Sequence, residues 1–196
     1  MIKAIITDFD GTLVDTFEAN FRAYQQAYMS VGLEIAEEKY RKCFGYRFER
    51  LMEKTGVLDE DKANAIKEAK KDIYPTFFRY LKPNYALIEL IKSFHTMGGK
   101  TAIASTARKE NLMNVINYFD LSPMFDLIFT GVDVKQGKPS PEIYLKAIEV
   151  LNVNPDEVLI FEDSPVGIEA ARASGAHVLL ITEDDFKREL SHKRKL

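Results

Sequence analysis

The chain has 196 residues, 46% hydrophobic and 29% charged, the mix of a globular protein rather than a disordered one. With 27 basic against 30 acidic side chains the net charge is -3, so no whole-chain field draws it to nucleic acid or to an anionic membrane. Cys43 is the single cysteine, which excludes an internal disulfide and any metal centre built on two thiolates.

Ile2 to Thr7 is an apolar, β-prone run that reads as a buried strand, without the charged start and long apolar stretch of a signal peptide. A cytoplasmic protein, monomeric or weakly dimeric, is the economical expectation. From Thr16 to Lys82 only helix-period residues occur, among them Phe17, Phe21, Tyr24 and Tyr28, then Ile66, Ile73, Phe77 and Tyr80. Asp15 with Glu18 three residues on resembles a capping box for the first of these helices. Lys82-Pro83-Asn84 reads as a return linker, because proline disfavours helix at the residue before it.

Beyond the linker, strand-like runs at Thr101 to Ala104, Leu127 to Thr130, Val158 to Phe161 and His177 to Ile181 alternate with amphipathic helices. That alternation predicts an α/β fold, a parallel sheet covered on both faces, interrupted by an all-helical insertion. No run approaches the roughly 18 apolar residues of a membrane span. Lys187, Arg188, Lys193, Arg194 and Lys195 make a basic tail expected to be solvated.

The first strand ends in Asp8-Phe9-Asp10-Gly11-Thr12. If extended geometry persists through Asp10, both carboxylates point to one side, at the strand end where open parallel sheets bind ligands. One carboxylate can attack phosphorus while the other protonates the leaving oxygen and then activates water. Two anions facing a phosphate repel, so a divalent cation would be required. A plain polar turn around Gly11 is the competing reading.

Ser105 and Thr106 precede a helix expected to begin near Ala107 and Arg108, and make either an anion site or an N-cap. Lys138 precedes a helix expected to have Ser140 as cap and Pro141 as its first residue; it can neutralise a phosphate oxygen or stand solvated. Glu162 and Asp163 end another buried run, where they suit Mg²⁺ or act as helix N-terminal acids. Jointly these strand ends supply one rim with groups that handle phosphate.

Asp8-Phe9-Asp10-Gly11-Thr12, Ser105, Lys138 with Pro139, and Glu162-Asp163, in that order, closely resemble the four motifs of the haloacid dehalogenase-like hydrolase superfamily. The resemblance runs over nearly the whole chain, including Gly167-Ile168-Glu169-Ala170-Ala171. It implies a Rossmann-like core at 1–15 and 83–196 with a helical cap at 16–82. It also implies a Mg²⁺-dependent phosphatase acting on a small phosphorylated metabolite through a phosphoryl-aspartate on Asp8. By the same resemblance Asp10 is the general acid and base, and Ser105, Thr106 and Lys138 hold phosphoryl oxygens. Glu162 and Asp163 join Asp8 and the Asp10 main-chain carbonyl around the metal. Asn20 and the cap loop with Gly45, Tyr46 and Arg47 are expected to read the substrate.

The nearest likeness is to the subgroup holding β-phosphoglucomutase, phosphoglycolate phosphatases and sugar-phosphate phosphatases. In the mutase a histidine aligns with Asn20, and a cap arginine stands three residues after the glycine that aligns with Gly45. Here that position is Phe48, flanked by Arg47 and Arg50. The departures favour hydrolysis, with a hexose-phosphate mutase as the alternative. A non-catalytic phosphometabolite-binding module would be expected to lose Asp8, Asp10 or Lys138, and all are present.

Overall fold

The computed structural model describes residues 1–186; residues 187–196, and with them the basic tail, lie outside the described residues. Ala4–Thr7 (β1) is the centre of the sheet because all four of its residues are buried, on both faces. Lys100–Ala104 (β4) and Val158–Glu162 (β6) pair with it in parallel, one on each side. Leu127–Phe129 (β5) and His177–Leu180 (β7) complete the order β5-β4-β1-β6-β7. The chain moves one way from β1 to β4 and β5 and the other way to β6 and β7. A crevice therefore opens at the carboxyl end of β1, the position where such sheets bind ligands.

Side chains alternate across the sheet with period two. Ile5 and Ile103 face Tyr85–Thr96 (α5) and Lys109–Tyr118 (α6) through Leu87, Ile88, Ile91, Leu112 and Ile116. Ala4, Ile6, Ala102 and Ile160 face Glu142–Leu151 (α7) and Pro165–Ala173 (α8) through Ile143, Tyr144, Ala147 and Ala170. The small residues on this second face let the helices approach closely. Among the described residues no helix is long and apolar enough to cross a membrane.

Between β1 and β4 lie Phe17–Ser30 (α1), Glu37–Arg41 (α2), Phe48–Thr55 (α3), Glu60–Ile73 (α4) and a 3₁₀ segment, Tyr74–Tyr80. Phe21, Tyr28, Tyr40, Leu51 and Ile66 give these helices an apolar cluster of their own. The chain passes out and back through Val14–Asp15 (β2) and Lys82–Pro83 (β3), which pair antiparallel as Val14 with Pro83 and Asp15 with Lys82.

The structure departs from the sequence expectations at several ends. The capping box at α1 does not form: Thr16 is the N-cap, Asp15 accepts from the Phe17 N–H and from Lys82 Nζ, and Glu18 pairs instead with Arg22 one turn on. Helix α6 starts at Lys109 with Arg108 as N-cap, so Ser105 does not cap it; α7 starts at Glu142 with Pro141 as N-cap, one residue later than expected, and Ser140 still accepts from the Glu142 N–H at 3.4 Å. Strand β7 is not buried: Leu179 and Leu180 are 48% and 54% exposed, because among the described residues β7 is an edge with β6 as its only strand neighbour.

Candidate active site

Asp8 follows directly on β1, its N–H still donating to the Phe161 carbonyl at 2.9 Å. The strand does not continue to Asp10, contrary to the simplest reading of the motif. The Phe9 carbonyl accepts from the N–H groups of Thr12, Leu13 and Val14, folding the segment into a tight turn. Gly11 is required in it, for its φ is +89° and a Cβ there would lie 2.3 Å from Asp163 Oδ2. Thr12 donates its hydroxyl to Asp163 Oδ1 at 2.7 Å, tying the turn to the end of β6.

Lys138 reaches the same point from the loop before α7. Its Nζ lies 2.5 Å from Asp8 Oδ1 and 2.5 Å from Glu162 Oε1, with the side chain only 5% exposed. Tyr144 donates its hydroxyl to Glu162 Oε1, while Glu162 Oε2 accepts from the N–H groups of Asp163 and Ser164 and from the Ser164 hydroxyl. A carboxylate offers about four lone-pair sites, so Glu162 is fully engaged.

Burial dominates the electrostatics. It pushes Asp8 well above the usual carboxylate range, against the pull of Lys138 and with the added repulsion of Glu162 and Asp163. Asp163 rises to about 6, chiefly by burial. Burial also works to raise Glu162, but the charge and hydrogen bond of Lys138 outweigh it and hold that carboxyl low. Burial opposes the charge on Lys138, and the facing carboxylates overcome it, so its proton is held tightly.

One ammonium thus faces three carboxylates. Asp8, Glu162 and Asp163 each offer an oxygen within 4.8 Å of the others', an arrangement that suits a divalent cation. Asp8 and Asp163 each keep a second oxygen without a hydrogen bond among the described residues, so these two fit such an ion. Glu162 would have to give up bonds to join them. Here it anchors Lys138 and the loop after β6.

Ser105, at the end of β4, is 1% exposed. Its oxygen accepts from the Ala107 N–H at 3.1 Å, and its own proton has no acceptor among the described residues. Thr106 turns the other way, its hydroxyl 3.4 Å from the Gly45 carbonyl of the helical insertion. Asp10 accepts a short hydrogen bond from the Thr16 hydroxyl. Burial raises its pKa, offset in part by Thr16, Lys70 and Lys138.

Asp10 borders a cavity of about 90 Å³ between insertion and sheet, which Asn20, Gly45, Tyr46, Arg47 and Thr106 also line. The structure therefore brings the expected substrate-reading residues together with Asp10. Asn20 donates to the Tyr74 hydroxyl at 3.4 Å. Arg47 spans the gap, donating to the Gly131 carbonyl at 3.2 Å and packing on Gly137, next to Lys138.

Lys70 and Arg108 line this cavity too, and sequence reasoning had not singled out either for its charge. Lys70 lies in Glu68-Ala69-Lys70-Lys71-Asp72, which reads as a solvated helix face. Only the helical period of α4, which puts Lys70 one turn beyond buried Ile66, carried a signal.

A parallel α/β sheet with buried acids and a lysine converging at the carboxyl end of its central strand defines a Rossmann-like protein with a carboxylate-lined active site. The chain belongs to the haloacid dehalogenase-like hydrolase family, whose model matches residues 5–181. It is 34% identical to the phosphorylated carbohydrates phosphatase of Thermotoga maritima over 180 residues, 89% of this chain and 82% of that protein. The structure of CbbY from Rhodobacter sphaeroides in complex with phosphate superposes with a TM-score of 0.82 at 27% identity, covering 96% of this chain and 90% of that one. β-Phosphoglucomutase from Clostridium difficile gives a TM-score of 0.78 at 25% identity, covering 96% and 88%.

Proposed function

We propose that this protein is a Mg²⁺-dependent phosphatase that hydrolyses a small phosphomonoester through a phosphoryl-aspartate on Asp8. The observation that carries the reading is the pairing of Asp8 with Lys138 at 2.5 Å in a buried cleft at the end of β1. Lys138 holds one oxygen of Asp8 in place and is positioned to neutralise the phosphoryl group. Mg²⁺, held by Asp8, Asp163 and the Asp10 carbonyl, would supply the charge that lets an anionic phosphate approach buried carboxylates.

Asp8 attacks phosphorus, and the bond to the leaving oxygen breaks as Asp10 gives that oxygen its proton. The raised pKa of Asp10 suits it to carry that proton. Asp10, now ionised, takes a proton from water, which attacks the acyl phosphate and returns Asp8. Ser105 donates its free hydroxyl proton to a phosphoryl oxygen. The segment 16–82 acts as a cap whose closure excludes bulk water.

Hydrolysis rather than transfer back to a sugar is supported by Asn20 and Phe48 at the positions where the mutase resemblance calls for histidine and arginine. The test is Mg²⁺-dependent release of inorganic phosphate from a panel of sugar phosphates, phosphoglycolate and nucleotides, with Asp8→Asn as control. A loss on the order of 10⁴-fold or more is expected in the variant. Turnover unchanged by Asp8→Asn sinks the reading; isomerised sugar phosphate as sole product, from a bisphosphate primer, would establish the mutase.

A further inference from the structure

Ser105 and Lys138, both assigned to phosphoryl oxygens above, each have as a chain neighbour a residue that the helical insertion touches. Thr106, next after Ser105, donates its hydroxyl to the Gly45 carbonyl at 3.4 Å. Gly137, next before Lys138, lies against the guanidinium of Arg47. Arg47 is the N-cap of α3 and also donates to the Gly131 carbonyl at 3.2 Å. One side chain of the insertion therefore rests on both ends of the loop that runs from β5 to Lys138.

The contact at Gly137 leaves no room for a side chain. A Cβ there would lie 2.9 Å from Arg47 Nε and 3.2 Å from both Cζ and Nη2. Gly137 has no positive φ, so it is the close approach and not the backbone angle that calls for glycine. From the sheet side, Glu142 holds the two residues before it, accepting from the N–H groups of Lys135 and Gln136 at 2.8 and 2.7 Å. The last step of main chain before Lys138 is left to Arg47.

The grip of Arg47 is built to let go. Its Nε is buried without a hydrogen-bond partner, and among the described residues its guanidinium has no counter-ion. A group docked in this way gives up hydration and recovers only part of it in one hydrogen bond. The contact thus holds while the insertion lies on the sheet and is released at little cost.

We propose that Arg47 is a positioning residue for Lys138: with the insertion closed it fixes the main chain at Gly137 and so aims the lysine, and with the insertion open it frees that chain. The inference rests on the phosphatase reading, and it assigns Arg47 to the sheet-side loop instead of to the substrate. In the resting site the ammonium is held by Asp8 and Glu162. Once a phosphoryl oxygen competes with Asp8 for it, its place depends on Glu162 and on the main chain from which it springs. Lys138 is then fully placed only when the cleft is shut against bulk water.

The test is a double-mutant cycle of Gly137→Ala, Arg47→Ala and the pair, assayed with Mg²⁺ on the fastest ester of the panel. Each single change should lower kcat about tenfold, the scale of one lost hydrogen bond to a charged group, with KM moved much less. In the pair the loss should equal that of Arg47→Ala alone, because an alanine at 137 meets nothing once the guanidinium is gone. Losses that multiply, a Gly137→Ala with the kinetics of the parent, or an Arg47→Ala whose loss lies in KM, as for a residue that reads substrate, overturns the proposal. The end of a long side chain swings away without straining the fold, so Gly137→Ala should keep the melting temperature of the parent. Instability that persists beside Arg47→Ala would mean that something else requires the glycine, and overturns the proposal too.

Amide hydrogen exchange over residues 131–138 needs no turnover and separates this from the broader reading. Should no ester be hydrolysed at all, the phosphatase reading falls. Exchange quickened alike in Arg47→Ala and Gly137→Ala, and no further in the pair, would still uphold the hold of Arg47 on this loop. Exchange unaltered in all three removes it.

Discussion

Thr16 donates its hydroxyl proton to the carboxylate of Asp10 and is at the same time the residue from which the first cap helix starts. The proposed general acid is therefore bonded to the residue that opens the helical insertion. The bond favours the charged form of Asp10 and so lowers its pKa, partly offsetting burial. In Thr16→Val that pKa rises. Formation of the phosphoryl-enzyme requires protonated Asp10, so the alkaline limb of the kcat/KM profile should move to higher pH, with a fall in kcat as the carboxyl loses its tether. A profile identical to that of the unaltered protein would show that Asp10 does not set the limb.

Glu162 and Asp163 are adjacent but have different work. Glu162→Gln leaves Lys138 with one charged partner in a dry site, and breaking such a pair costs about 3–5 kcal/mol. Its melting temperature should fall sharply. Asp163→Asn should instead raise the Mg²⁺ concentration for half-maximal activity about tenfold or more, and by more than Glu162→Gln does. A Mg²⁺ requirement raised equally in both would make Glu162 a metal ligand.

Gly167 lies within α8, where alanine normally stabilises a helix by about 1 kcal/mol. Here a Cβ would fall 1.8 Å from Glu162 Oε1. That carboxylate is held on both oxygens and cannot step aside, so overpacking, about 1–3 kcal/mol or more, wins over helix propensity. Gly167→Ala should be destabilised on chemical denaturation and should lose activity by displacing the partner of Lys138. A variant more stable than the parent would mean that Glu162 is free to move.

The pKa of Lys70 falls from 10.5 to about 7 on folding, mainly by burial. Between those values the unfolded chain binds more protons than the folded one, so stability rises with pH across that window and is lowest below pH 7. Lys70→Met removes this dependence, a difference of up to about 5 kcal/mol for a shift of this size. Denaturation midpoints of the two proteins should diverge most near pH 6 and converge towards pH 10. A gap independent of pH would show that Lys70 stays charged in the fold.

The sheet and its rim were legible in the sequence because a buried parallel strand needs an unbroken apolar run, and Ile2 to Thr7 and Val158 to Phe161 supply one. Asp8, Lys138 and Asp163 could be found because each stands where such a run stops or a helix is about to begin. Helix starts were less legible. Ser105 and Ser140 carry the right side chains for caps, but the loops set the first helical residue further along. The β2–β3 ribbon is only two residues per strand and contains Pro83, too short for a periodic signal. Lys70 was hidden because its charged neighbours read as solvated, while its burial is decided by tyrosines distant or downstream in the chain.

Pairing of Asp15 with Lys82 has one more consequence. The chain leaves the sheet side and comes back at almost the same point, so everything in between is threaded through a single paired stem. What hangs from that stem can be exchanged without rethreading a strand. A chimera carrying residues 16–82 from a relative with a different substrate should keep the chemistry of Asp8 and inherit the selectivity of the donor.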